Sequence, residues 1–213
     1  MAITSKDKAV GIIHECAVLY NKNLSGKNVL YVTEHRNKPA YFETLFLPQN
    51  FLHLTGMKTK LNSDHFLRAA LNKRLSPSDI EFDAGGTTEL KLDILPRLMQ
   101  IHTTARMIGD YDNTRPLLAT DKFAGTITMA VGFINIGNIY IPNTTLKIDV
   151  RSITTHATRR KIIATFTKPR NEAYYSHMTY ISKGTTVDDE ILHSILHRVD
   201  MKNLTAVFSI PRK

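Results

Sequence analysis

The feature that most constrains this chain is a change of hydrophobic period near residue 104. Before it, apolar residues recur mostly at three- and four-residue intervals, the signature of amphipathic helices. Beyond it they fall in short runs rich in β-branched and aromatic residues, separated by turn formers. Such an order predicts an α+β fold in which N-terminal helices are followed by a mainly antiparallel sheet. No internal repeat, low-complexity tract or linker divides the 213 residues, so one domain over 1–213 is expected.

Thr4-Ser5-Lys6-Asp7 reads as a capping box, with Thr4 bonding the Asp7 N–H. It opens a helix over 4–22 with Val10, Ile13, Ala17 and Tyr20 on one face. Val29 to Val32 and Tyr41 to Leu47 read as strands of a hairpin turning at Asn37-Lys38-Pro39. Asn62 or Ser63 caps a helix presenting Phe66, Leu67, Ala70 and Leu71, and Ser76-Pro77-Ser78-Asp79 forms a second capping box. Gly85-Gly86 breaks the chain. Leu90 to Ile101 fits a helix, although Leu90, Leu92 and Ile94 also alternate and Pro96 would kink it. Strands are expected at Arg106 to Gly109, Phe123 to Ile134, Ile139 to Ile141, Lys161 to Thr167 and Tyr174 to Ile181. Pro142-Asn143 reads as one of the turns between them. A helix over 188–199 and an edge strand at Thr205 to Ile210 complete the expectation.

Charge narrows the partners. The net charge is +9, which favours a polyanion, with nucleic acid the commonest and an anionic membrane surface or acidic protein as competitors. Cys16 is the single cysteine, so no disulfide within the chain and no cysteine zinc cluster can form. No run of about 18 apolar residues could cross a membrane. The expectation is a cytoplasmic protein that works on or against nucleic acid, with no membrane partner.

Three groups could carry chemistry. His53-Leu54-Thr55-Gly56 follows a strand and precedes Lys58 and Lys60. A histidine can exchange a proton near neutrality, a threonine can bond a phosphate oxygen, and lysines can hold phosphate as point charges. Packing of His53 against Phe51 and Leu54 is the plainer alternative. Thr120-Asp121-Lys122 ends a polar loop, where Lys122 could neutralise phosphate and Asp121 could tune it, or the two could form a surface ion pair. Arg151, Arg159, Arg160, Lys161, Lys168, Arg170 and Lys183 make a basic block interleaved with Tyr174, Tyr175 and Tyr180. That block suits a phosphate backbone with unpaired bases, or a solvated strand face. His193 and His197 lie four apart but lack the glutamate and third ligand of a helical zinc motif, so no metal and no other cofactor is expected. The glycine pairs lack phosphate-loop spacing.

Phe51-Leu52-His53-Leu54-Thr55-Gly56 resembles the signature of a phage-associated group of predicted ribonucleases in the barnase–EndoU–colicin–RelE-like class. Leu95-Pro96-Arg97-Leu98-Met99, Ile108-Gly109-Asp110-Tyr111, Thr120-Asp121-Lys122-Phe123-Ala124-Gly125, Tyr140-Ile141-Pro142-Asn143-Thr144 and Asp149-Val150-Arg151 add to it, in matching order over roughly 40–185, within a family-like core of about 27–185. The resemblance implies a compact α+β fold and metal-independent RNA cleavage, as in toxins or mobile-element proteins. It points to His53, Thr55, Lys122 and Arg151 as catalytic. Lys58, Lys60, Thr120, Arg159, Arg160, Lys168 and Lys183 are the expected substrate contacts.

Two functions are compatible with this pattern. One is an endoribonuclease of phage or mobile-element type in which the RNA 2′-OH attacks its own phosphate, with tRNA among the possible substrates and a cognate antitoxin a possible partner. The other is a non-catalytic phage protein that covers a host defence nucleoprotein or nuclease through the same basic surface.

Overall fold

The structure is a computed structural model that describes residues 5–35, 38–113, 118–186 and 195–206. Helix α1 (Lys6–Asn23) is capped by Ser5, whose hydroxyl accepts the Lys8 N–H at 3.3 Å. The cap thus falls one residue after Thr4, which lies outside the described residues. Ile13, Ala17 and Tyr20 are fully buried on the expected face.

Strands β1 (Lys27–His35) and β2 (Lys38–Phe46) form the expected antiparallel hairpin, with Lys38 and Pro39 inside β2. Four helices follow: α2 (Asn50–Thr55), α3 (Ser63–Leu71), α4 (Thr87–Leu98) and α5 (Ile101–Thr104). Asn62 caps α3 by accepting the His65 N–H at 2.8 Å. The second capping box forms but opens only a single 3₁₀ turn, Pro77–Asp79. In α4 the helical period prevails over alternation: Leu92, Leu95 and Leu98 are buried while Leu90 is exposed. Pro96 sits in the last turn of α4.

Seven more strands follow, β3 (Met107–Asp110), β4 (Lys122–Gly125), β5 (Ala130–Ile136), β6 (Ile139–Leu146), β7 (Arg160–Pro169), β8 (His177–Ile181) and β9 (Thr205–Ala206). The run read as one strand from Phe123 to Ile134 is two, because Thr126 to Met129 make a tight turn closed by Thr126 N–H to Met129 O at 2.9 Å. Pro142-Asn143 lies within β6 instead of ending it, beside a bulge at Gly132/Phe133 of β5. Gly137 and Asn138 turn the β5–β6 hairpin, both with positive φ (57° and 74°), as a two-residue hairpin loop matched to strand twist requires. Most of the expected helix over 188–199 lies outside the described residues, and the described part is a 3₁₀ turn, Leu196–Arg198.

The sheet closes on itself. Its order β1-β2-β6-β5-β4-β3-β7 returns to β1 through the β7–β1 pairing, giving a seven-stranded barrel with β8 and β9 attached outside the ring. Pairing is antiparallel except for β2–β6 and β8–β9. Helices α1 to α4 join Tyr31, Phe42, Ile108, Ala124, Val131 and Phe133 in the main core. Two smaller apolar clusters lie around Phe166 and Tyr175, and around Phe123 and Val150.

One seam of the ring is barely closed. Strands β2 and β6 share the single pair Thr44↔Tyr140, reinforced by the Thr44 hydroxyl donating to Tyr140 O at 2.8 Å. Before it in β2, Ala40 to Glu43 make no pairing with β6, and a cleft opens along them.

Candidate active site

The cleft at the seam has a volume of ≈ 550 Å³. Strand alternation aims charge into it. Ile108 and Ala124 are cross-strand partners in the main core, so Asp110 and Lys122, two residues further along, share their face. Asp110 and Lys122 are also paired directly and form an ion pair. Arg160 pairs with Ile108 across β3–β7 and also lines the cleft. Its guanidinium is steadied by the carbonyls of Ala157 and Arg159, both at 2.8 Å. Tyr140 stands opposite, its ring 6.0 Å from the Lys122 ammonium and 4.7 Å from the Phe42 ring.

The other wall is built from distant sequence. Glu43 Oε1 accepts the Tyr175 hydroxyl at 2.6 Å and the Asn28 amide at 3.1 Å, and Oε2 accepts Arg198 at 2.6 Å. Burial pushes the Glu43 carboxyl upward, but Tyr175 and Arg198 outweigh it and hold it below its usual value. Both oxygens are therefore committed, and Glu43 is a fixed anion. The Arg198 guanidinium lies 4.7 Å from the ring of Tyr41, an exposed aromatic at the rim. Asp110 differs: the Lys122 ammonium bonds its Oδ1, and its side chain is 41% exposed, open to the cleft. A smaller hollow of ≈ 380 Å³ shares Asp110, Lys122 and Tyr140 and extends towards Thr120 and Asp121.

The expected site residues are distributed as follows. Lys122 and Arg160 meet in the cleft. Asp121 is not the partner of Lys122; its carboxylate accepts the Asn135 N–H at 2.6 Å on the other side of the strand. Thr120, almost fully buried, donates to Asn143 Oδ1 at 3.2 Å. His53, Thr55 and Arg151 do not line the cleft. Helix α2 packs along β6 with Thr145 Oγ1 donating to Leu54 O at 3.2 Å, about 16 Å along the strand from Tyr140. His53 is exposed there. Thr55 is fully buried, donating to Leu52 O at 2.7 Å and accepting the Met57 N–H at 3.1 Å. Its hydroxyl finishes a helix and does not reach a phosphate. Gly56 ends α2 with φ 69°, over the Lys91 side chain.

Arg151 lies beyond the far end of β4, where Val150 N–H reaches Thr126 O, and its guanidinium is held by Asp149 at 2.6 Å. Arg159 is tied to the carbonyls of Arg151 and Thr154 at 2.5 and 2.7 Å. Lys58 pairs with Asp83 at 2.8 Å, Lys60 is exposed beside it, and Lys183 is exposed after β8. Lys168 donates to Glu172 O and Ala173 O and faces a second cavity. The basic block is thus several separate surfaces. Asp110 and Tyr140 carried a sequence signal, since both fall in the family-like segments. Glu43 and Arg198 carried none, being 155 residues apart.

The arrangement supplies a carboxylate, an ammonium and a guanidinium at one opening, which suits chemistry on a charged ester. No curated protein and no solved structure matches the chain significantly. A family model described as phage-Barnase-EndoU-ColicinE5/D-RelE like nuclease 4 matches residues 12–184. The match takes in most of α1 and every cleft residue except Arg198, and by it the chain belongs to this nuclease family.

Proposed function

We propose that the chain is a metal-independent endoribonuclease whose active site is the cleft at the β2–β6 seam. The observation behind this reading is the convergence of Asp110, Lys122 and Arg160, in a chain of a nuclease family. Cleavage without a metal needs a base for the 2′-OH, a proton for the leaving 5′-oxygen and cations around the phosphate. The Asp110 carboxylate takes the 2′-OH proton as the 2′-oxygen bonds to phosphorus. Lys122 gives a proton to the departing 5′-oxygen, and the proton on Asp110 restores it across their shared hydrogen bond. Arg160 holds the non-bridging oxygens, on which charge grows. The products are a 2′,3′-cyclic phosphate and a 5′-hydroxyl.

In this reading the roles first assigned to His53, Thr55 and Arg151 pass to Asp110 and Arg160, and Lys122 keeps its own. The test is incubation of the protein with labelled RNA in EDTA. Cleavage is expected to leave 2′,3′-cyclic phosphate ends, to fall about 10²-fold or more in Asp110→Asn and Arg160→Ala, and to persist in His53→Ala. Salt-sensitive RNA binding with no turnover would favour the covering protein instead.

A further inference from the structure

A second cavity, of ≈ 330 Å³, lies at the other end of β1 from the cleft. Lys27 lines it, and Thr33 lines the cleft. They are six residue steps apart along the strand, about 20 Å. The end of α1, helix α5 and the outer strands β8 and β9 form its walls.

The charge here is of one sign. Lys22, Lys27 and Lys168 line the cavity together with His102 and His177, and among the described residues no carboxylate does. The cleft, by contrast, includes Asp110 and Glu43. Among the described residues none of these three lysines forms an ion pair. Two are held by backbone carbonyls: Lys27 Nζ donates to Lys22 O at 2.5 Å, and Lys168 Nζ to Glu172 O and Ala173 O at 2.8 and 3.0 Å. Carbonyls orient an ammonium without cancelling its charge. Burial, and then the charge of Lys22, lower the Lys27 pKa. The His102 ring completes the wall, and its buried Nδ1 has no hydrogen-bond partner. Lys168 is turned towards Tyr175, 5.1 Å from its ring, and its charge acts on the Glu43 carboxylate. Lys22 and Lys27, with no carboxylate in the described lining, leave the hollow cationic, a receptor for a compact anion with several acceptor oxygens.

We propose that this cavity is a phosphate-binding site distinct from the cleft, filled by one phosphate group held by Lys22 and Lys27. The phosphate is free, carried by a nucleotide, or part of a nucleic-acid backbone.

The experiment is a ¹H–¹⁵N titration of the full chain at low salt, following the amides of Lys27, His102 and Thr179. Inorganic phosphate, uridine monophosphate and an uncleavable oligodeoxythymidylate are added in separate arms. Inorganic phosphate is expected to give saturable shifts centred on these residues. Lys22→Ala with Lys27→Gln is expected to weaken them by about tenfold or more while keeping a folded spectrum, and Lys122→Ala to leave them unchanged. Tighter binding of uridine monophosphate than of phosphate identifies a nucleotide site. Competition by the oligonucleotide alone identifies a backbone site. Absence of saturable shifts in all arms, or equal affinity in the folded double variant, overturns the proposal. The readout requires no turnover, so it stands or falls apart from the ribonuclease reading.

Discussion

His102 is a neutral imidazole in the folded protein. Burial first, and the charge of Lys27 second, lower its pKa from 6.5 to about 4. Between those values the unfolded chain binds a proton that the folded chain refuses. Stability therefore falls as pH drops from 6.5 towards 4, by roughly 3 kcal/mol at most from this residue. Urea unfolding near pH 7 and near pH 4.5 is expected to show that component in the natural chain and to lose it in His102→Gln. An unchanged difference in the variant would contradict it. Gly56 makes a second case. At φ 69°, a Cβ there would lie 2.6 Å from Lys91 Cδ. Gly56→Ala is expected to destabilise by about 1–2 kcal/mol from backbone strain alone, read as a lower urea midpoint at unchanged slope. The His-Leu-Thr-Gly segment thus gained its distinctive residues partly from helix termination. Sequence could show that Thr55 and Gly56 were special, but not that they served the backbone, because Thr88 donating to Gly56 O at 2.8 Å joins positions 32 residues apart.

At the scale of elements, the barrel seam is the critical feature. Thr44 is fully buried, and its hydroxyl supplies the bond that supports the single β2–β6 pair. Thr44→Val keeps the shape and removes that bond, so a loss of about 1 kcal/mol is expected. Because Tyr140 sits at the same pair, RNA cleavage is expected to fall more than stability does. Cleavage equal to that of the natural chain would detach the seam from the site. The strands themselves were largely legible, since alternation and turn residues are local. Their division was not: Phe123 to Ile134 looks continuous because Thr126 to Met129 lack a strong turn former. Ring closure through β7 and β1 was not legible either, since it depends on pairing Lys27 with Pro169.

At the scale of the whole molecule, closure of the sheet decides which basic residues meet. Barrel strands carry the α1–α4 core on their inner faces, and the same alternation brings Asp110, Lys122 and Arg160 to the open rim. Sequence order could suggest that Lys122 belonged to a site. It could not supply Asp110 as partner, because that depends on the antiparallel register of β3 and β4, which pairs Asp110 with Lys122. Neither could it separate Arg151, bound to Asp149, from Arg160, which faces the cleft. The match to a nuclease family agrees with a chain that acts on nucleic acid. The most direct measurement is cleavage of labelled RNA in EDTA by the natural chain, by Lys122→Ala and by His53→Ala, each confirmed as folded. The account predicts 2′,3′-cyclic phosphate products, a loss of about 10²-fold or more in Lys122→Ala, and activity near that of the natural chain in His53→Ala. Equal cleavage by Lys122→Ala, or loss confined to His53→Ala, would contradict it.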